Sequence, residues 1–204
     1  MAMIHTKDKL GEPTKDEKDR FAELGIHIDS YGRPENPDKA RVIGTYGLRL
    51  GKGDFWHWGP NYTVDPIVIG QENGVPKVLT IERSDTGKRA LPGGFVDSDE
   101  DAIAAAIREA TEETTIDVSR DPHEIIYTGH VRDPRETLHA WPETTAILFR
   151  HEGCPSVTAC DDAKPGSAAW LSELDIPEIA FHGSHLMLIE KGFRRWHERQ
   201  KNSI

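Results

Sequence analysis

Arg108-Glu109-Ala110-Thr111-Glu112-Glu113 places three carboxylates within five positions of an alanine-rich segment. Like charges four residues apart on a helix repel and cost a few tenths of a kcal/mol. A chain that keeps Glu109 and Glu113 on one side therefore leaves them in water or sets them around a cation. At about 100° per residue, Glu109 and Glu113 lie roughly 40° apart, with Glu112 about 60° beyond Glu109. Ile103, Ile107 and Ala110 cluster on the adjacent side and would hold this edge against a sheet. Hard oxygen donors in such a group suit Mg²⁺ or Mn²⁺, which keep several waters and bind substrate phosphates. On these residues alone, a solvated acidic face supported by Arg108 and Glu112 at i,i+4 accounts for the pattern at least as well.

Several elements must position this edge. Ile103, Ala106, Ile107 and Ala110 recur at helical spacing and predict a helix over 99–114. Ahead of it, PIVIGQENGVPKVLTIERSD reads as two strands joined at Asn73-Gly74, a strong hairpin signal. A third strand around Arg89 to Leu91 leads into Pro92-Gly93-Gly94. Further strands are expected at 124–131, 144–150 and 167–171. A last helix opens with Ser184 as its N-cap and turns Leu186, Ile189, Phe193 and Trp196 inward. The first 40 residues are polar and turn-rich. Thr14-Lys15-Asp16-Glu17 reads as a capping box, with Phe21 and Leu24 facing inward and Gly25 ending the helix. Residues 41–50 look strand-like, broken by Gly44 and Gly47. The chain divides into a cap or extension, 1–65, and a main domain, 66–204. Strands and helices alternate irregularly, which gives an α+β class or a mixed-sheet α/β sandwich.

Composition narrows the function classes. A chain of 204 residues with 36% hydrophobic and 29% charged residues is that of a soluble globular protein. No stretch approaches the roughly 18 apolar residues of a membrane helix, and the opening MAMIHTKDK lacks the apolar run of a signal peptide. The formal net charge of −10 argues against nucleic-acid partners. A small anionic substrate remains compatible with that charge if cations neutralise the site. Cys154 and Cys160 read as idle thiols in a reducing cytoplasm, and a monomer is favoured.

Around the acidic run the spacing is Gly94, five residues, Glu100, seven residues, Arg108-Glu109-Ala110, one residue, Glu112-Glu113. This resembles the Nudix box, G-x5-E-x7-R-E-U-x-E-E-x-G-U, where U is a bulky aliphatic residue. Ala110 is small for its aliphatic slot, and Thr115 replaces the second glycine. Beyond the box, WGPNYTVDP, LPGGFVDSDE, GHVRDPRETLHAWPET, ACDDAKPG and GSH resemble two groups. These are the ADP-ribose pyrophosphatases of the mitochondrial animal type and the Nudix-derived domain of the ADP-ribose-gated melastatin-type channel.

The resemblance implies a Nudix α/β/α sandwich with a mixed sheet, preceded by a cap. It implies metal-dependent hydrolysis of ADP-ribose, a small nucleotide-sugar, to AMP and ribose 5-phosphate. The alternatives are a different nucleoside diphosphate derivative, or a sensor that binds ADP-ribose without cleaving it. Glu109, Glu112, Glu113 and the Gly94 carbonyl match the family's metal ligands, with Glu109 and Glu113 central to catalysis. Glu100 and Arg108 orient that edge from behind. Asp161-Asp162 resembles the hydrolases' paired aspartates, with Asp162 ahead of Asp161 as general base and Glu143 or a box glutamate in reserve. An ordinary loop turn is the alternative for that pair. Asp133 and Arg135 correspond to a segment that holds ADP-ribose in the channel domain, and His182 and Ser184 lie where that domain also meets ligand. Trp56, Trp58 and Tyr62 are expected to pack, not to stack on adenine. His182-x-x-His185 is not read as a metal pair, because no third ligand accompanies it.

Overall fold

The computed structural model describes residues 11–201. The opening segment read as lacking a signal peptide lies outside them. The chain forms two compact units: the described residues through Tyr62 with His130–Glu143, and Thr63–Gly129 with the described residues from Thr144 onward.

The element order is α1 (Lys15–Glu23), α2 (Lys39–Tyr46), β1 (Gly59–Glu72), β2 (Val75–Glu82), β3 (Arg89–Ala90), β4 (Gly94–Phe95), α3 (Ala102–Thr114), β5 (His123–His130), β6 (Ala140–Arg150), β7 (Ala169–Ser172), a 3₁₀ turn (Ile176–Glu178) and α4 (His185–Lys201). Among the described residues the strands form one seven-stranded sheet of order β3-β2-β1-β6-β5, with β4 on β1 and β7 on β2. The hairpin closes where its dipeptide predicted: Glu72 faces Val75, and Asn73 and Gly74 take φ of 51° and 81°. Two successive positive φ values are what the tight hairpin turn demands.

The second unit owes its layers to the two-residue period of a strand. Ile67, Ile69, Val78, Ala146 and Leu148 face Leu188, Ile189, Phe193 and Trp196 of α4. Val64, Val68, Leu79, Ile147 and Phe149 face Ala105, Ala106 and Ala110 of α3. Helices therefore cover both faces of the sheet, which makes the α/β/α sandwich and explains why these strands are apolar on both sides. Full burial of each such side chain contributes about 1.5–3 kcal/mol. A Cβ at Gly192 would stand 2.7 Å from Ile67 Cγ2, so its absence allows α4 to sit this close to β1.

Several sequence expectations need correction. Residues 39–46 are the helix α2, not a strand. The isolated glycines misled, because Gly44 is accommodated inside the helix and Gly47 ends it at φ 79°. Leu186 is exposed, and Leu188 takes its place against the sheet. Leu24 is also exposed as the C-cap of α1, although the capping box of Thr14 and Glu17 is formed and Phe21 is buried. Trp58 is buried as expected, whereas Trp56 and Tyr62 are 57% and 43% exposed.

Thr115 sits where the box has glycine and keeps a glycine-like turn, with φ 59° and ψ 12° at the C-cap of α3. A β-branched residue in this region is strained by roughly 1–2 kcal/mol. Thr115→Gly is therefore expected to stabilise the protein by about 1 kcal/mol, part of the gain being lost to the freer unfolded chain. Urea unfolding measures this. An unchanged or lower midpoint would show that the Thr115 hydroxyl, which donates to the Thr114 carbonyl at 2.6 Å, compensates the strain.

Candidate active site

The amphipathic α3 is capped by Asp101, whose carboxylate accepts the Ile103 and Ala104 amides. Its alanine face is fixed against the sheet, and this sets the direction of its acidic edge. Glu109 and Glu113 are 8% and 5% exposed, while Glu112 is exposed. The acidic run is thus not a uniformly solvated face, because two of its three carboxylates are taken out of water.

Arg108 organises the edge. Its guanidinium donates to Glu100 Oε1 at 2.5 Å, Glu109 Oε1 at 2.7 Å, Glu112 Oε2 at 3.0 Å and the Phe95 carbonyl at 3.0 Å. Glu100 also accepts the Asp97 amide at 3.0 Å, which ties the Gly94–Asp101 loop to the helix. The Gly93 amide donates to Glu113 Oε2 at 3.0 Å. A methyl group at Gly94 would overlap the Glu109 carboxylate, and one at Gly93 would overlap the Val64 carbonyl. Gly93 is therefore needed for the loop to lie this close to β1, and a side chain at Gly94 would displace the Glu109 carboxylate.

Electrostatics set these carboxylates apart. Burial pushes Glu113 up to about 8; the Gly93 amide and the charge of Arg83 oppose that, and the charges of Glu109 and Asp162 add to it. Burial also pushes Glu109 upward against the pull of Arg108, helped by the charges of Glu112 and Asp161. Desolvated carboxylates that repel one another fit a hard divalent cation in donor chemistry. As placed, no three His, Cys, Asp or Glu side chains among the described residues converge closely enough to hold one. Arg108 links Glu109 and Glu112 through a single nitrogen, Nη1.

The paired aspartates lie on the same unit. The amides of Thr158 and Cys160 donate to the carbonyls of Thr114 and Glu113 at 3.3 and 3.0 Å, docking their loop on the end of α3. Ser84 donates to the Asp162 carbonyl through its amide at 3.3 Å and its hydroxyl at 2.8 Å. Asp161 takes φ 50°, and both side chains are exposed.

His182 and Ser184 also belong to this unit. His182 is buried, its amide donating to the Arg89 carbonyl at 2.8 Å. The Ser184 carbonyl accepts from Leu188 at 3.2 Å in the first turn of α4. Sequence reasoning passed over two neighbours. His185 Nδ1 accepts the Leu91 amide at 3.0 Å. Asp65, buried, accepts the Thr144 hydroxyl at 2.6 Å and stands 3.5 Å from His185 Nδ1. Together they brace the chain that leads into Gly93-Gly94. The sequence signals were the aspartate of WGPNYTVDP and the histidine of Gly-Ser-His, neither of which was given a role.

Asp133, Arg135 and Glu143 fall in the other unit. Arg135 turns its guanidinium onto the Asp133 carboxylate, at 2.9 and 2.8 Å, and lies over Phe55 with its Cζ 5.5 Å from the ring centroid. Glu143 accepts from the Trp141 indole at 3.2 Å. Cys154 and Cys160 are free thiols, half-buried. Among the described residues no helix is long and apolar enough to cross a membrane.

The chain is 30% identical over 230 residues to a protein of Rattus norvegicus named "ADP-ribose pyrophosphatase, mitochondrial", across 91% of this chain and 63% of that protein. It is 29% identical over 204 residues to the "Transient receptor potential cation channel subfamily M member-like 2" of Nematostella vectensis, across 84% of this chain and 12% of the channel. It therefore spans less than two thirds of either relative. Among solved structures, the NUDIX domain of Shewanella oneidensis NrtR, complexed with ADP ribose, superposes with a TM-score of 0.58 at 23% identity, over 78% of this chain and 98% of that one. That likeness is one of fold. The model of the family described as the NUDIX domain matches residues 61–187, and the chain belongs to that family.

Proposed function

We propose that this protein is a divalent-metal-dependent hydrolase that cleaves the pyrophosphate bond of ADP-ribose to AMP and ribose 5-phosphate. The observation that carries the reading is the pair of buried, desolvated carboxylates, Glu109 beside Gly94 and Glu113 on the Gly93 amide. The name of the rat relative supports the substrate.

Glu109, Glu112, Glu113 and the Gly94 carbonyl would hold the cation, Mg²⁺ in preference and Mn²⁺ as a substitute. When bound, it neutralises pyrophosphate charge and lowers the pKa of a water. Arg108, anchored by Glu100, keeps Glu109 and Glu112 aligned, and the Gly93 amide aims Glu113. Asp162 takes the proton of the attacking water, with Asp161 beside it. Asp133 accepts from ribose hydroxyls and Arg135 grips phosphate, once Arg135 exchanges its bond to Asp133 for one to substrate. His182 and Ser184 complete the contacts. Residues 1–65 act as a cap on the domain formed by 66–204. The net charge of −10 disfavours nucleic acid as a partner, and two free thiols favour a reducing compartment, which we take to be the cytoplasm. A monomer suffices for this chemistry.

The test is a panel of ADP-ribose, other nucleoside diphosphate conjugates and nucleoside triphosphates, each with Mg²⁺, with products identified by chromatography. AMP with ribose 5-phosphate is the expected result. Cleavage of another conjugate in its place changes the substrate assignment. Binding of ADP-ribose without products would make the chain a sensor.

A further inference from the structure

Glu136 is fully buried, and the chemistry proposed above makes no use of it. Its carboxylate accepts from Arg41 Nη2 at 2.9 and 2.8 Å, Asn36 Nδ2 at 3.2 Å and the Asp133 amide at 2.7 Å. His130 Nε2 lies 3.0 Å away and, against a carboxylate, carries the hydrogen. Burial pushes Glu136 up, but the bonds from His130, the Asp133 amide and Asn36 outweigh it, so the group stays ionised. An ionised carboxylate is retained in such a place only when its oxygens are filled by donors, as they are here.

The bonds form a chain of orientation. The Glu136 amide donates to the Asp133 carbonyl at 3.1 Å, and the Glu136 side chain accepts the Asp133 amide, so the two residues close the turn from both ends. Asp133 in turn accepts the Arg135 amide at 2.7 Å as well as the Arg135 guanidinium. On the far side, Arg41 is held on α2 by Asp38 at 2.5 Å. The direction of Arg135 thus depends on Asp133, that of Asp133 on Glu136, and that of Glu136 on a cation and an amide supplied by the N-terminal segment.

We propose that Glu136 and Arg41 are a positioning pair that holds the Asp133–Arg135 turn in the geometry that receives the phosphate and ribose of the substrate. This rests on the reading above that the turn binds substrate. Neither residue touches the reacting atoms. Their charge pairing fixes where the contacting groups stand, so its loss shows as weaker substrate capture with the chemical step intact.

The experiment compares Glu136→Gln and Arg41→Met with the parent in KM and kcat for ADP-ribose at saturating Mg²⁺, beside exchange of the Asp133, Arg135 and Glu136 amides. Val42→Ala, a buried change on the same helix that removes no charge, serves as the control. Each test variant should raise KM by about 10-fold with kcat within about threefold, and the double variant should be no worse than the weaker single. Exchange at the Asp133 amide should quicken. If Glu136→Gln fails to fold, Arg41→Lys, which keeps charge but loses the paired donors, should raise KM by about threefold. An unchanged KM in the folded variants, or an equal rise in Val42→Ala, overturns the proposal. A parent that does not cleave ADP-ribose refutes the functional reading instead. Exchange at the Asp133 amide then decides the pair: acceleration in the variants sustains the positioning role, and unchanged exchange ends it.

Discussion

Glu113→Gln is expected to raise the melting temperature of the metal-free protein at pH 8 while removing most Mg²⁺-dependent turnover. Burial lifts the Glu113 carboxyl from 4.5 to about 8. A carboxyl raised on folding favours the folded state while it is protonated, fully so below about pH 4.5, and that contribution fades as pH climbs through 8. At about 1.4 kcal/mol per pH unit, the rise sets a ceiling near 5 kcal/mol on what the ionised side chain costs above pH 8. Glutamine keeps the shape and an acceptor for the Gly93 amide, and it is never charged. Recovery of half that ceiling corresponds to about 5–10 °C in a chain of this length. The gap between variant and parent should close toward pH 5, where both side chains are neutral. Turnover at saturating Mg²⁺ should fall by about 100-fold or more, because an amide oxygen is a poor ligand for a hard cation. Melting curves at pH 5 and 8 with a chelator, beside turnover, check both halves. A gap that does not change with pH would show that ionisation of Glu113 is not what burdens the fold. Near-normal turnover would remove Glu113 from the ligand set.

What could be read from the sequence was what depends on neighbours in sequence. The hairpin is fixed by Asn73-Gly74, and α3 by the recurrence of Ile103, Ala106, Ile107 and Ala110. The box spacing could be read because Gly94, Glu100 and Arg108 to Glu113 lie on one loop and one helix, where sequence spacing fixes spatial spacing. What failed depends on distant partners. Lys39–Tyr46 carries a glycine and several β-branched residues and runs into a second glycine at Gly47, a weak helix by propensity. It forms because Val42 is buried and Arg41 reaches a carboxylate 95 positions away. Glu136 gave no warning at all. In Pro-Arg-Glu-Thr it looks like a solvated turn residue, and only Asn36, Arg41 and His130 make it a buried one. The choice between Leu186 and Leu188 on α4 was lost for a related reason. A stripe drawn at helical spacing fixes the buried face to within about one residue, and the packing against Ile67 and Ile69 decides which leucine enters.

Asp162→Asn is expected to lower kcat by about 10²–10⁴-fold, the range for lost acid-base catalysis. The box glutamates are committed to the cation in the proposed site, so the proton of the attacking water needs another acceptor. The loop that carries Asp161 and Asp162 is docked on the end of α3 by the Thr158 and Cys160 amides. The charge of Asp162 acts on Glu113 and that of Asp161 on Glu109, so both stand within electrostatic reach of the acidic edge. The bonds from Ser84 pin Asp162 through its carbonyl, not its side chain, and asparagine keeps them. The variant should therefore fold, bind ADP-ribose with little change and lose only the capacity to accept the proton. Turnover measured beside calorimetric binding separates these effects, with Asp161→Asn as the partner variant. Asparagine tolerates the left-handed backbone at that position, so Asp161→Asn also tests the carboxylate and not the turn. If Asp162→Asn stays within about threefold of the parent while Asp161→Asn falls, the base is Asp161. If both remain active, the proton goes to Glu143 or to a glutamate of the box, and Asp161-Asp162 only shapes the loop.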